Sequence, residues 1–201
     1  MGKSTKEKLI IEAFKLFASK PYDQVTYTDI EKATNLSRGA ILYHVKTKEN
    51  LFHEVIQYFI FHKTSAISLQ NKQQRDKMTL KQFIMACVDE CGEEKRNMAE
   101  IGILNINITK LNIESQGFYF YPEMKEKAEE WLEDQYNVWR QVIERAIAKG
   151  EIKPVTDIDD ISSLFINLYL GISYSGIIRK DGIDLKKMKK DCLLIYNLLK
   201  S

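Results

Sequence analysis

The sequence has few of the features that mark secreted, membrane-spanning or metal-binding proteins. It contains three cysteines and no C-x-x-C pair, which argues against both a disulfide framework and a zinc site. No run approaches the roughly 18 apolar residues of a membrane span. The N-terminus is charged, whereas a signal peptide has an apolar segment there. These absences predict a cytoplasmic protein with no membrane partner and no metal.

Catalytic motifs are also absent. The chain carries no nucleotide-binding loop, no G-x-S-x-G, no H-E-x-x-H and no paired His/Cys constellation, so it lacks the common signatures of nucleotide-dependent and hydrolytic enzymes. The composition, 44% hydrophobic and 29% charged over 201 residues, is typical of one large or two modest globular domains. We therefore expect a protein that is not an enzyme and needs no cofactor.

Net charge is small but unevenly placed. Residues 1–52 hold nine Lys/Arg and six Asp/Glu, a net of +3, within a chain whose total is +2, which leaves −1 for residues 53–201. A basic N-terminal segment favours binding to nucleic acid, although solvated protein faces often carry as much charge. The distribution agrees with DNA binding without requiring it.

The densest helix signals follow Val25. Thr26 precedes Asp29 by three residues, which is the spacing of a capping box at a helix N-terminus. Ile30 and Ala33 are expected to face inward. Asn35 is a residue type that adopts the left-handed conformation at a helix end. A short helix is therefore predicted between Thr26 and Asn35.

A second short helix follows after a tight turn. Ser37 is placed to cap it, and Arg38 to Val45 would form it. Thr47 would cap a third helix that starts at Lys48. Two short helices joined by a turn of three or four residues form a helix-turn-helix, whose second helix enters the major groove of DNA.

The rest of the chain also reads as helical. Ser4 with Glu7 signals the start of helix one, and its apolar face recurs at helical spacing through Ile10, Ala13, Phe14 and Phe17. Further helices are predicted after three sequence signals: Thr79 with Gln82, Pro122 (running to Gly150), and Thr156 with Asp159. A last helix follows Gly182. The predicted fold is all-α, with a helix-turn-helix domain at 1–50 and a helical bundle at 51–201.

Residues 98–111 fit two patterns. Leu104, Ile106 and Ile108 alternate as in a strand, whereas Ile101, Leu104, Ile108 and Leu111 fit one face of a helix. Because the surrounding chain is helical, we predict a helix here.

Aromatic residues are dense in the predicted bundle. The run Phe118 to Tyr121 would either line the mouth of an apolar cavity or plug the end of the bundle, and aromatic stripes at this spacing are often simply core. Cys87 and Cys91, one turn apart on an apolar face, are expected in the core as small hydrophobes, although a redox or metal role is conceivable. As candidate ligand-pocket residues we take Phe83, Cys87, Leu104, Phe118, Phe120, Trp131, Gln135, Trp139, Phe165 and Tyr169.

The last two helices are apolar over much of their surface. In the final helix, apolar residues follow a 3, 4, 3, 4 spacing from Leu185 to Leu199, as in a coiled-coil seam. Such a pair can bury itself within one chain, but wide faces at the chain end favour a homodimeric four-helix interface. The predicted interface residues are Leu164, Leu168, Ile172, Leu185, Met188, Cys192, Ile195 and Leu199.

Residues 8–52 resemble the TetR family of bacterial transcriptional repressors. The segment I-I-E-A-F-K-L-F-A-S-K-P-Y-D-Q-V-T is similar to the family's first helix and the lead into its second. The segment S-R-G-A-I-L-Y-H-V-K-T-K-E-N-L-F is similar to its recognition helix and the start of helix four. The resemblance implies an all-α homodimer whose N-terminal domain binds a palindromic DNA operator. It also implies a C-terminal bundle that binds an inducer and dimerises.

The resemblance assigns DNA contacts residue by residue. It places hydroxyls and amides at the start of helix two against phosphate, recognition-helix residues at base edges, and a lysine of helix four on the DNA backbone. Helix N-termini favour phosphates, and cationic side chains release counterions. The residues so assigned are Thr26, Thr28, Ser37, Arg38, Gly39, Ala40, Tyr43, His44 and Lys48.

The sequence therefore predicts a repressor that is released from double-stranded operator DNA by a small apolar or amphipathic ligand. Two alternatives stay open at this point. The bundle could respond to a protein partner or only dimerise, and the regulator could activate transcription.

Overall fold

A computed structural model describes residues 4–62, 72–154 and 157–201. The chain divides into two compact units. The first comprises Met1–Thr64 and Ile108–Ala128, and the second comprises Ser65–Asn107 and Glu129–Ser201. The sequence-based division into 1–50 and 51–201 is a division by function, and it stays a prediction.

The described residues are mainly helical, which confirms the predicted all-α class. An isolated β-bridge joins Ile152 to Lys200. Among the described residues, no helix combines the length and apolar character needed to cross a membrane. The helices are α1 (Thr5–Ser19), α2 (Tyr27–Thr34), α3 (Arg38–Val45), α4 (Lys48–Ile56, continued by a π-helical turn at Gln57–His62), α5 (Lys72–Arg75), α6 (Leu80–Glu100), α7 (Ile106–Phe120), α8 (Met124–Ala148), α9 (Ile158–Ile177) and α10 (Leu185–Leu199).

The predicted caps of the helix-turn-helix are confirmed. The Asp29 amide donates to Thr26 Oγ1 at 3.2 Å, and the Thr26 amide donates to Asp29 Oδ2 at 3.0 Å. Asn35 ends α2 with φ of 57°. Ser37 Oγ accepts from the Ala40 amide at the start of α3. These local bonds fix the two helix starts and the turn between them.

The core of the first unit is aromatic. Phe14 of α1 stacks on Phe59 with ring centroids 3.8 Å apart, and Phe17 meets Phe52 of α4 edge to face at 5.0 Å. Ile30 of α2 is fully buried, as predicted. The prediction that Ala33 faces inward is wrong, because that residue is exposed. The α2 helix has just over two turns and buries only Ile30, so Ala33 lies beyond the edge of the core.

The C-terminal half of α7 belongs to the first unit. Asn112 Nδ2 donates to the Ala18 carbonyl at 2.9 Å, and Gln116 Nε2 donates to the Phe17 carbonyl at 2.9 Å. These carbonyls lie in the last turn of α1, where helix carbonyls lack intrahelical partners. Two side chains of α7 therefore complete the end of α1.

The second unit has one continuous apolar core. The Trp139 ring of α8 stacks on Phe165 of α9 with centroids 4.4 Å apart, and Phe83 of α6 meets Trp139 edge to face at 4.9 Å. Met188 and Cys192 of α10 pack into the same core. Aromatic rings from three helices thus interlock at its centre.

Residues 98–111 are helical at both ends but not throughout. Helix α6 ends at Glu100 and α7 begins at Ile106. The intervening turn includes Gly102 at φ of 87°, a conformation that side chains with a Cβ rarely adopt. The prediction of one unbroken helix was therefore wrong between residues 101 and 105.

Two predicted helix starts also need correction. The longest helix begins at Met124, not in the turn that contains Pro122. Helix α9 is capped by Asp157, whose carboxylate accepts from the amides of Asp159 and Asp160. Thr156, predicted as this cap, lies outside the described residues. An Asp at the N-cap accepts the same amide bonds as a Thr, so the pattern alone did not separate them.

A pair of asparagines holds the turn between α9 and α10. Asn105 Nδ2 donates to the carbonyls of Gly176 and Arg179 at 3.0 and 2.6 Å. Asn107 Oδ1 accepts from the Ile183 amide at 2.8 Å. Because these asparagines flank the start of α7, their side chains fix the backbone of the turn to that helix.

Candidate nucleic-acid interface

The N-terminus of α2 has two first-turn amides outside its capping box. The capping box uses the amides of Thr26 and Asp29, so the first-turn amides that it leaves are those of Tyr27 and Thr28. Thr28 is an exposed residue. The Thr26 hydroxyl donates to Asp29 Oδ2 at 2.9 Å, so its proton is already committed within the protein. First-turn amides with the helix dipole behind them suit a phosphate oxygen.

Asp29 keeps its charge at the N-terminus of α2. Hydrogen bonds from the Thr26 backbone and side chain, together with Lys20, lower the pKa of Asp29 to about 2. Lys20 Nζ lies 3.1 Å from Asp29 Oδ1. The capping box therefore stays ionised and intact at neutral pH.

Lys48 ties α4 to the segment that leads into α2. Its Nζ donates to the carbonyls of Tyr22 and Val25, both at 3.0 Å, and lies 4.3 Å from the centre of the Tyr22 ring. Two of its three N–H donors are thus used within the first unit. The grip of Lys48 on the DNA backbone stays a prediction. The structure adds a second role for Lys48, which is to hold the segment from Tyr22 to Val25 in place before α2.

We expect Lys48→Met to lower the free energy of unfolding by about 1–2 kcal/mol, because it removes charged donors from two carbonyls. Lys46→Met is the matched control: Lys46 is exposed, lies two residues earlier and carries the same charge. Denaturant unfolding of both variants measures the difference. Equal stability of the two variants would contradict a stabilising role for the Lys48 hydrogen bonds. Each variant also loses one positive charge, so a contribution of charge to DNA binding would change the salt dependence of binding in both.

Helix α3 presents a small, exposed set of polar and aromatic groups. Its apolar residues Ile41 and Val45 are buried and anchor it. Tyr43 is 85% exposed, and His44 is half-buried with its ring 5.3 Å from that of Tyr43. The structure thus brings the predicted α3 residues together on one short helix, with Ser37, Arg38 and Gly39 exposed and Ala40 half-buried at its start.

The sequence did not predict two residues that contact Arg38. The Arg38 guanidinium carbon lies 4.5 Å from the centre of the Tyr27 ring. The Arg38 amide donates to Glu31 Oε1 at 2.7 Å. Tyr27 and Glu31 belong to α2, and no local spacing rule pairs them with the first residue of α3. Only the angle between the two helices brings them there.

The ten candidate pocket residues do not form one cluster. Leu104 and Phe118 are 71% and 58% exposed, because the first lies in the turn before α7 and the second on the outer side of that helix. Phe120 belongs to the first unit, where its ring lies 4.6 Å from Tyr22. Five others pack in or against the core of the second unit, namely Phe83, Cys87, Trp139, Phe165 and Tyr169. On α8, Gln135 is buried and Trp131 is half-buried.

Trp131 and Gln135 of α8 each carry a buried donor without an acceptor in the part of the chain that the structure describes. Gln135 is a buried side chain, and neither its Nε2 nor the Nε1 of Trp131 has a hydrogen-bond partner among the described residues. The two residues are four apart, so they lie on the same helix face. Buried donors are normally paired. Arg145 Nε and Nη2 and Ser173 Oγ of the second unit are likewise buried without a partner among the described residues. Burial raises the pKa of the Cys87 thiol, which keeps it protonated as a core residue.

The predicted interface residues are mostly used inside the chain. Ile172, Met188 and Cys192 are buried in the core of the second unit. Leu168, Leu185, Ile195 and Leu199 pack against that core, and Leu164 is exposed. Their role in a dimer stays a prediction. The large apolar side chains that α9 and α10 leave exposed are Leu164, Leu170, Tyr174, Ile178, Leu194 and Leu198.

Comparison with known proteins points to one family. The sequence pattern of the family described as bacterial regulatory proteins, tetR family, matches residues 9–55. IcaR of Staphylococcus epidermidis, a negative transcriptional regulator of the biofilm operon icaADBC, is 36% identical over 59 residues, which cover 27% of this chain and 32% of that protein. IcaR of Staphylococcus aureus is 28% identical over 89 residues, covering 44% and 48%. The chain thus matches less than half the length of these curated relatives.

Solved structures agree over nearly the whole chain. The TetR-family regulator PfmR from Thermus thermophilus has a TM-score of 0.66 at 18% identity and covers 94% of this chain and 97% of its own. A TetR-family regulator from a Rhodococcus species reaches 0.68 at 13% identity, covering 99% and 100%. At such identities the likeness concerns the fold alone.

Proposed function

We propose that this chain, which belongs to the TetR family of bacterial regulatory proteins, is a DNA-binding transcriptional regulator that acts on double-stranded operator DNA in the cytoplasm. The observation that carries the proposal is the capped α2–α3 pair. Its second helix is anchored by Ile41 and Val45 and turns Tyr43 to solvent. A helix held in this way can enter the major groove while the start of α2 meets a phosphate.

We infer that the regulator works as a homodimer on a palindromic site. Leu164 and Tyr174 of α9 and its C-cap residue Ile178 are exposed and lie on one face at helical spacing. Leu194 and Leu198 of α10, also exposed, are four residues apart on one face. Apolar surface of this kind is typical of an interface between copies. A two-fold dimer would place two α3 helices about 34–36 Å apart, in successive major grooves.

Repression is the sign of regulation that we propose. The IcaR relatives are negative regulators by name, which supports a repressor without excluding an activator that binds DNA in the same way. Bound across a promoter, a dimer of this kind would block access of the transcription machinery. Transcription in vitro from a promoter that carries the selected site decides the sign.

A small ligand is the proposed signal. The buried donors Trp131 Nε1 and Gln135 Nε2 support a ligand that carries a hydrogen-bond acceptor on an apolar frame. Such a ligand shifts the protein between DNA-binding and released arrangements only if it binds them with unequal affinity. The competing proposal is that a protein partner supplies the signal, or that the second unit only dimerises.

In-vitro selection of DNA sites by the purified full chain tests DNA binding, symmetry and spacing together. We expect a palindrome, and recovery of no preferred sequence would overturn the proposal.

Tyr43→Ala should weaken binding to the selected site by about tenfold or more, whereas Tyr119→Ala should not. The two tyrosines are a matched pair, because they are 85% and 84% exposed and only Tyr43 lies on α3.

The ligand proposal has its own experiment. Thermal unfolding is followed with apolar esters and ketones, and with hydrocarbons of equal size as controls. Binding to the native protein raises the unfolding temperature. We expect the acceptor-bearing compounds to raise it, and we expect this stabilisation to be lost in the Gln135→Leu variant. Absence of any effect, in unfolding or in release from DNA, would contradict small-molecule control.

A further inference from the structure

We propose that Arg38 reads a guanine in each operator half-site, that Tyr27 holds its guanidinium in the orientation that this requires, and that Glu31, bonded to the Arg38 backbone amide, keeps phosphate away from the start of α3. The proposal rests on the proposed DNA-binding function and assigns one of its base contacts. Arg38 is the first residue of α3, and residues at the N-terminal end of a recognition helix are those that reach base edges.

The position of the Arg38 guanidinium over the Tyr27 ring is the first observation behind this proposal. The guanidinium carbon lies 4.5 Å from the ring centre, within the range of a cation–π contact. A guanidinium that contacts a ring through its face keeps its N–H edges available for other partners. Those edges match the O6 and N7 acceptors of guanine, which arginine contacts in a bidentate way.

The second observation is the position of Glu31. Its carboxylate accepts from the Arg38 amide at 2.7 Å, so it occupies the place at the start of α3 where a phosphate would bind. A negative charge there repels a second anion. At α2 the first-turn carboxylate, Asp29, is paired with Lys20 at 3.1 Å, and the amides of Tyr27 and Thr28 lie outside the capping box. The phosphate contact therefore falls to α2, and the first residue of α3 turns to the base edges.

Tyr27 thus serves as a positioning residue. It is the first residue of α2, next to Thr28, and its ring carries the side chain that reads the base. Docking the start of α2 on a phosphate then sets the height and orientation of Arg38 in the groove. Phosphate contacts fix register while base contacts specify sequence, and Tyr27 joins the two.

The experiment uses the full chain, the DNA site that the native protein selects, and duplexes with each base pair replaced in turn. We expect one G·C pair in each half-site whose replacement weakens native binding roughly 5- to 150-fold. Arg38→Lys keeps the charge but loses the planar fork, so the penalty at that pair should fall while the salt dependence stays the same. Tyr27→Leu should reduce the penalty roughly 2- to 5-fold. Tyr27→Phe retains the ring and should behave as the native protein does.

The outcomes separate this inference from the function on which it rests. Arg38→Lys binding that falls equally on every duplex would make Arg38 a phosphate contact and overturn the proposal. An unchanged penalty in both Arg38→Lys and Tyr27→Leu would overturn it as well. Selection of no site by the native protein would instead overturn the DNA-binding function. Circular dichroism of each variant, with Tyr27→Phe as the folded reference, identifies any loss that comes from misfolding.

Discussion

Replacing Trp139 by alanine is expected to lower the free energy of unfolding by about 3–5 kcal/mol. Trp139 is 5% exposed, stacks on Phe165 at 4.4 Å and meets Phe83 edge to face at 4.9 Å. Truncation to alanine removes both aromatic contacts and leaves a cavity that three separate helices would have to close. Because a whole domain is stable by only about 5–15 kcal/mol, this single change removes much of the margin.

Denaturant unfolding measures the loss, with Trp139→Phe as the control. The smaller ring keeps an aromatic face against Phe165, so we expect Trp139→Phe to lose less than half as much stability as Trp139→Ala. A loss below about 1 kcal/mol for the alanine variant would contradict the central position of Trp139. The same chain carries a useful comparison in Trp131, which is half-buried on the same helix and should cost less when truncated.

The second prediction concerns the turn between α9 and α10. A Cβ added at Gly176 would lie 2.8 Å from both the Ile183 amide nitrogen and Asn107 Oδ1. Those two atoms are themselves joined by a hydrogen bond of 2.8 Å. We therefore expect Gly176→Ala to force the turn away from Asn107 and to cost about 2–3 kcal/mol, as overpacking combined with a lost hydrogen bond.

Gly171→Ala is the matched control for this prediction. It lies on the same helix, and a Cβ there would meet nothing within 4 Å in the single chain. Removing a helical glycine should then be neutral or stabilise the chain by up to about 1 kcal/mol. Thermal unfolding of the two variants side by side gives the comparison. Equal melting temperatures would show that the Asn107 contact does not hold the turn.

Much of the helix-turn-helix followed from the sequence because its signals are local. The predicted caps at Thr26, Ser37 and Thr47 and the left-handed Asn35 are all present. Each depends on residues no more than four apart, where side chain and backbone meet whatever the rest of the chain does.

The second unit was less predictable because its helices are apolar on more than one side. A seam such as Leu185 to Leu199 is equally suited to the chain's own core and to a partner, since both bury apolar surface. The structure packs Met188 and Cys192 inside the chain and leaves Leu194 and Leu198 exposed. Spacing identifies a helix face, but it does not identify what covers that face.

The sequence by itself determined the helical class, the caps of α2 and α3 and the resemblance that points to DNA. Tertiary structure decided which groups lie beside α3 and the start of α4. Tyr27 and Glu31 meet Arg38, and Lys48 reaches the carbonyls of Tyr22 and Val25. These contacts depend on how the helices cross. A crossing angle is set by packing across the whole core and has no spacing rule in the sequence.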